Sequence, residues 1–439
     1  MLALRLSRSA HPAVQLRRLL VAAASAGTGF LLLCTLGHAL THPEASATSV
    51  LRLAWCVIPL AATVYFALAV ARTDPGTRPR PGLAAIGLGP VRLMAVSATT
   101  TALSTLLGSM LALLLFLHLR GDLTGMPFDG AAADFLAADA SLPLPATLTL
   151  LALVPLASSV SVALMLRPRD TRLAARAAAP KLFGTAGALR PGGTGTGRAT
   201  PGPRTGDDQV RAATDAPSAS EAAPAAEPAA APESRIERPD PTALPWGAAL
   251  LAAGLAVEGY ASRTATGADV PLPTGLPTGP AAVLLGWTLT AVGLALAGPG
   301  LTHLCGRLLQ AVRPGALRLL AGRGLMEESA RIGRPLGVVC AVASGAYTMA
   351  VLYDPSDPAF GPLTTLGALV VAGSTVATLV TSAVEARQAR AETTAALLRL
   401  GAPTKTLRSA AALRTGALLA LFVPLTLVVA ELAALPLAR

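Results

Sequence analysis

Charged and aromatic side chains are both scarce in this sequence, and their scarcity narrows its class at once. Charged residues make up 13% of the 439 positions against 53% hydrophobic ones, and the mean hydropathy is +0.58. That leaves too little polar surface for a soluble protein, so the chain reads as integral to a membrane. Aromatic residues are only 3%, with no interleaving of rings and basic residues of the kind that stacks bases. The formal charge of +11 therefore does not point to nucleic acid. The arginines gather instead at the ends of apolar runs, where they set orientation and meet anionic lipid.

Catalytic signatures are just as thin. The run Gly192-Gly193-Thr194-Gly195-Thr196-Gly197 looks like a phosphate-binding loop, but no strand precedes it, no helix follows it, and no Gly-Lys-Ser/Thr ending closes it. No nucleotide or other cofactor is expected on this chain, and it is not read as an enzyme. His38 and His42 stand four apart with Glu44 nearby, a metal-compatible spacing, yet Pro43 and the interfacial position favour a structural role, so no metal site is assigned. Four cysteines, Cys34, Cys56, Cys305 and Cys340, fall in or beside apolar runs and form neither a disulfide framework nor a C-x-x-C site. Cys34 and Cys56 are placed in the outer halves of neighbouring helices, close enough to meet.

What the sequence does have is apolar length. Stretches of about 20 apolar residues, enough to cross roughly 30 Å of hydrocarbon, occur nine times, near 19–40, 51–70, 93–117, 146–166, 246–261, 281–303, 335–353, 362–384 and 410–436. The fifth is short and the sixth carries Gly298-Pro299-Gly300 near its end, so the count stands at about nine, within eight to ten. The fold class expected is an all-α polytopic membrane protein. The first stretch is too long for a cleaved signal despite the Ala45-Ser46-Ala47 sequence behind it, and reads as an uncleaved span.

Arginines separate the two sides. Arg5, Arg8, Arg17 and Arg18 precede the first span, Arg72, Arg78, Arg80 and Arg92 lie between the second and third, and Arg167, Arg169, Arg172 and Arg176 follow the fourth. Arg307 to Arg334 separate the sixth and seventh, and Arg387, Arg390, Arg399, Lys405 and Arg408 the eighth and ninth. The intervening loops hold only Arg52, Arg120 and Arg263, and two of them are acidic, with Asp122, Asp129, Asp134 and Asp139 in one and Asp354 and Asp357 in the other. By the positive-inside rule the N-terminus and the central linker are cytoplasmic in a plasma-membrane protein. That linker, 167–243, is rich in Ala, Pro, Gly, Thr and Glu and cannot bury enough apolar surface to offset its ordering entropy, so it is expected to be disordered.

One pattern appears twice. Leu83-Ala84-Ala85-Ile86-Gly87 precedes the third span and Leu397-Leu398-Arg399-Leu400-Gly401 the ninth, each reading as a short amphipathic helix ended by Gly. Amphipathic segments also lead into the first span, from Leu2 to Ala10, and into the seventh, from Gly315 to Arg334. Together these residues resemble the FtsX-like permease domain of ABC transporters, in its actinobacterial form. Leu397-Leu398-Arg399-Leu400-Gly401-Ala402-Pro403 matches the family's Leu-x-x-Leu-Gly-Ala helix well, and the segment from Leu83 less well. The resemblance covers the chain apart from its linker.

The resemblance implies two pseudo-repeats, 1–166 with about four helices and 311–439 with about three, joined by the linker and by two linking helices in 244–310. It implies a permease subunit that transmits the motion of a cytosolic ABC ATPase for export or signalling. Its coupling residues would be Leu83, Ile86, Gly87 and Leu93 in the first half, and Leu397, Leu400, Gly401 and Leu407 in the second. Partners are then the ATPase, membrane lipid and a second permease, with homodimer and heterodimer both open. Two features are expected to depart from the family: a first external loop of about ten residues, and a second half read with about three spans where the family pattern has four. A secondary transporter driven by an ion gradient, or a non-transporting scaffold, remain the alternatives. Glu258 and Glu431 are the carboxylates inside apolar runs, each within two turns of a predicted end and so expected to reach water.

The arginine asymmetry makes a direct prediction. In a background without cysteine, single cysteines at Thr48, Ala131 and Thr274 react with a membrane-impermeant thiol reagent in intact cells, and those at Thr77, Thr205 and Thr394 do not. Labelling at Thr205 in sealed cells would overturn the topology.

Overall fold

A computed structural model describes residues 12–73, 90–123, 130–133, 136–167, 243–261, 269–270, 279–311, 315–351 and 361–434. The chain divides into two units, Met1–Pro168 with Glu237–Arg439, and Arg169–Ile236, and all of the described residues fall in the first. The linker reading therefore lies outside the described residues, apart from Arg167 at one edge and Ala243 at the other.

Every expected span falls on a helix. In chain order these are α1 (Pro12–Thr41), α2 (Ser46–Trp55), α3 (Val57–Thr73), α4 (Pro90–Arg120), α5 (Leu144–Leu166), α6 (Ala243–Ala261), α7 (Ala281–Ala311), α8 (Ala316–Val351), α9 (Pro362–Ala389), α10 (Ala391–Arg399) and α11 (Thr404–Ala434). Among the described residues the only strands are β1 (Asp269–Val270) and β2 (Gly279–Pro280), a two-residue antiparallel ladder between α6 and α7. Among the described residues, seven helical segments are long and apolar enough to cross a membrane: α1, α2 with α3, α4, α5, α7, α9 with α10, and α11. The protein is an all-α, multi-pass membrane protein. The fifth and seventh expected spans correspond to α6 and to the second half of α8.

Proline acts differently in two of the spans. The second span is broken at Cys56, whose N–H reaches back to the carbonyls of Arg52 and Leu53. Pro59 supplies the reason, because a proline within a helix removes an N–H and its ring collides with the carbonyl four residues earlier, here Trp55. Pro299, by contrast, does not stop α7, which continues to Ala311. Its ring is accommodated by Gly333 of α8, where a Cβ would lie 2.4 Å from Pro299 Cα.

The first bundle is built around α1, which packs on α3, α4 and α5. Leu33, Cys34, Ala112, Phe116, Leu136 and Leu151 form its core, with Phe30 meeting Phe116 edge-on at 6.1 Å. Hydroxyls tie the helices together where lipid offers no partner: Ser25 Oγ donates to the Thr105 carbonyl at 2.7 Å, Ser109 Oγ to the Leu151 carbonyl at 3.1 Å, and Thr28 and Thr63 share a bond of 2.9 Å. At one end the bundle is capped by Arg120. Its side chain is buried, pairs with Asp122 at 3.3 Å, and donates to the carbonyls of Ala138 and Ala140 in the segment leading to α5.

α6, α7 and α8 pack by backbone approach. Gly247 and Gly254 of α6 face Ala297 and Thr290 of α7, and Gly293 of α7 faces Leu251 of α6, with clearances for a Cβ of 2.4 to 2.5 Å. On its other side α7 lays Gly298 and Leu294 against Gly333 and Gly337 of α8, where a Cβ would come within 2.1 to 2.3 Å of a carbonyl oxygen. No side chain fits at these points, so glycine sets the helix spacing. α8 then packs on α9 and α11, and α9 crosses to lie against α3 and α1.

Replacing Gly293 or Gly298 by Leu should therefore force α7 off its neighbours and lower stability by roughly 3 kcal/mol or more. Gly345→Ala, at a position with nothing within 4 Å of the added carbon, should be neutral or slightly stabilising. Thermal unfolding of the purified variants in one detergent separates these outcomes, and equal melting temperatures for all three would refute the glycine packing.

Candidate coupling site

The segment from Leu397 to Pro403 forms a helix end whose geometry its sequence dictates. α10 starts directly after Arg390, which is helical in φ and ψ and serves both α9 and α10 as their junction. Glu392 in the first turn and Arg399 in the last suit the helix dipole. Gly401 takes φ +85, a conformation that favours glycine, and two bonds close the end: Gly401 N–H donates to the Leu398 carbonyl and Ala402 N–H to the Leu397 carbonyl, both at 3.0 Å. This is a Schellman cap, and Pro403 behind it prevents continuation. No residue of α10 is buried. Leu400 is 84% exposed and Leu398 43%, while Leu397 and Leu407 are half-buried.

Below α10 lies an ionic node that joins three helices. Glu328 of α8 is buried, and its Oε1 forms ion pairs with Arg390 Nε at 2.5 Å and with Arg414 Nη1 of α11 at 3.6 Å. Room for Arg414 comes from Gly324, one turn earlier on α8, where a Cβ would lie 2.6 Å from the guanidinium. Arg390 Nε also donates to the Ala386 carbonyl at 3.2 Å, which holds the side chain against α9. Glu328 precedes the apolar part of α8. Burial pushes its carboxyl up from 4.5 to about 7, with Arg390 pulling the other way and Glu327 adding to the push. Near neutral pH both charge states of the node are therefore populated.

The remaining expected positions behave differently from one another. Leu83, Ile86 and Gly87 lie outside the described residues. Leu93 is buried near the start of α4 and offers no exposed contact. Glu431 is exposed and accepts the Tyr347 hydroxyl at 2.6 Å. The expectation that Glu258 reaches water is corrected: it is 0% exposed, because α7 closes over it. All four cysteines are buried and free, so Cys34 and Cys56 do not bridge. His38 and His42 stack at 4.4 Å. No family model, no curated protein and no solved structure matches this chain. What the node and α10 do must be argued from their geometry.

The pH dependence of the node follows from its raised carboxyl. Holding the Glu328 proton more tightly when folded contributes stability that is full below about pH 4.5 and is lost as pH rises through about 7. Between pH 5 and pH 8 the wild type should lose stability relative to Glu328→Gln, which does not titrate there, by up to about 3 kcal/mol. Melting temperatures of both proteins across that range in one detergent provide the check, and a constant difference would refute it.

Proposed function

We propose that this chain is the permease subunit of an FtsX-like ABC transporter in the plasma membrane, with its N-terminus and linker cytoplasmic. The observation that carries the reading is α10: a capped amphipathic helix with no buried residue and with exposed leucines at its end, placed between two long spans. An ordinary surface loop has no reason to present Leu398 and Leu400 outward on a Schellman-capped helix. A docked partner gives that apolar surface somewhere to go.

The node beneath α10 supports a relay. A push on α10 reaches Arg390 directly, and Arg390 is paired with Glu328 on α8, which also holds Arg414 on α11. Motion at one short helix is thereby shared by three long ones without passing through a flexible loop. The contacts of each half run parallel as well: α1 packs on α3 and α4, and α8 packs on α9 and α11. Two halves that meet through α9 against α1 and α3 give closure of paired cytosolic ATPase subunits an interface to move. The ATPase supplies nucleotide hydrolysis, and this chain contributes the lever and the membrane path.

Docking and transmission are separable by mutation. Leu400→Asp sets an unpaired charge into an apolar contact and should weaken ATPase retention by about 3 kcal/mol, roughly a hundredfold. Glu328→Gln should leave the ATPase bound but reduce the effect of this subunit on its turnover. The experiment is co-purification from native membranes at matched levels of wild type and variants, with ATPase activity in detergent. If the wild type retains no ATPase, or Leu400→Asp retains it undiminished, the proposal fails.

A further inference from the structure

Glu258 is the most fully enclosed carboxylate among the described residues, at 0% exposure. The only other ionisable side chain on α6 is Tyr260, which is 71% exposed, and α7 has none before His303. α11 also touches α6 and carries Lys405, Arg408, Arg414 and Glu431. Of these, Arg414 is held at the Glu328 node and the Glu431 carboxylate by the Tyr347 hydroxyl. Among the described residues no charged group acts on the Glu258 carboxyl.

The place of Glu258 is built, not incidental. Thr290 of α7 donates to its Oε1 at 3.2 Å, and Oε2 has no hydrogen-bond partner among the described residues. A Cβ at Gly286 would lie 2.4 Å from Glu258 Cγ, and one at Gly254 would lie 2.4 Å from Thr290 Oγ1. Two glycines on facing helices thus clear the volume that the carboxyl and the hydroxyl occupy. An ionised carboxylate removed from water needs a counter-charge or several donors, and one hydroxyl supplies neither. The enclosed group accordingly holds a proton.

Its depth makes that proton exchangeable. Glu258 is three residues from the end of α6 at Ala261, less than one helical turn, and Val283 is buried on the same stripe of α7 as Gly286 and Thr290, one turn nearer that end. We propose that Glu258, seated against Thr290, is a proton-binding site that opens the α6–α7 hairpin to water when it ionises. The O–H bond breaks heterolytically, the proton passes to water at the mouth, and the carboxylate left behind takes its hydration from the same opening. The site stands independently of any ATPase. Since α7 also packs on α8 through Gly298 and Gly333, opening would reach the helix that carries Glu328.

The test uses full-length protein in lipid nanodiscs with its four cysteines replaced and a reporter at Val283→Cys. Labelling by a charged maleimide is normalised to Leu285→Cys, an exposed position on the same helix, to remove the intrinsic pH dependence of the thiol. Normalised labelling of the reporter should rise about tenfold or more between about pH 5.5 and pH 9, and the rise should vanish with Glu258→Gln. In the wild-type sequence, dicyclohexylcarbodiimide should modify Glu258 at the low end of that range and progressively less as pH increases, a readout by peptide mass that needs no variant to fold. A flat reporter, an undiminished rise in Glu258→Gln, or a Glu258 that carbodiimide never modifies overturns the proposal. So does closure by sodium ions at fixed pH, which would make the ligand a metal cation.

Discussion

Hydrocarbon offers no hydrogen-bond partner, and that single constraint shapes most of this structure. Backbone groups are satisfied inside helices, and hydroxyls on α1, α3 and α4 turn to carbonyls of their own or a neighbouring helix or to one another. With lipid as apolar as the leucines, helices gain little by hiding leucine from it and associate through close backbone contact instead. Large residues accordingly remain on the outside, Leu103, Leu107 and Leu111 of α4 among them, while α6, α7 and α8 meet through glycine.

Within such a setting a buried charge is conspicuous, and two carboxylates answer the problem in opposite ways. Glu328 is given two arginines, so that ionisation and enclosure coexist and three helices are bound into one unit. Glu258 is given a threonine hydroxyl and space, so enclosure and ionisation exclude each other. The first arrangement suits a joint that carries load. The second suits a latch that responds to its surroundings.

Much of this was legible in the sequence. Apolar length placed all nine expected stretches on helices, of which seven, among the described residues, are long and apolar enough to cross a membrane, and the Leu-Gly-Ala-Pro order at Leu400 to Pro403 foretold a helix with a glycine cap. The glycines at 247 and 254, and at 286, 293 and 300, recur every seven residues and could have shown that α6 and α7 pack face to face; they pass as scattered small residues until the two helices are aligned antiparallel. Arg414, a cation inside the ninth apolar run, was the overlooked sign of the ionic node. Its partner Glu328 was hidden by composition, since a carboxylate on an amphipathic helix looks solvent-facing until α9 and α11 cover it. The burial of Glu258 was hidden for a similar reason, because distance from a helix end says nothing about what the next helix covers.

Arg120 shows how biogenesis is written into the fold. Its guanidinium is spent on carbonyls of Ala138 and Ala140, which belong to the chain entering α5. Those acceptors are not in place while only α4 has left the insertion machinery. Until then the arginine at the end of the single span has only Asp122, two residues on, as a partner and is free to stay in water. With α4 and α5 both in place, the same residue ties the chain at Ala138 and Ala140 to the end of α4, where Leu136 shares one core with Phe116 and Leu151. A residue that a charge count would score as a topological signal thus acts as the fastener applied after topology has been decided.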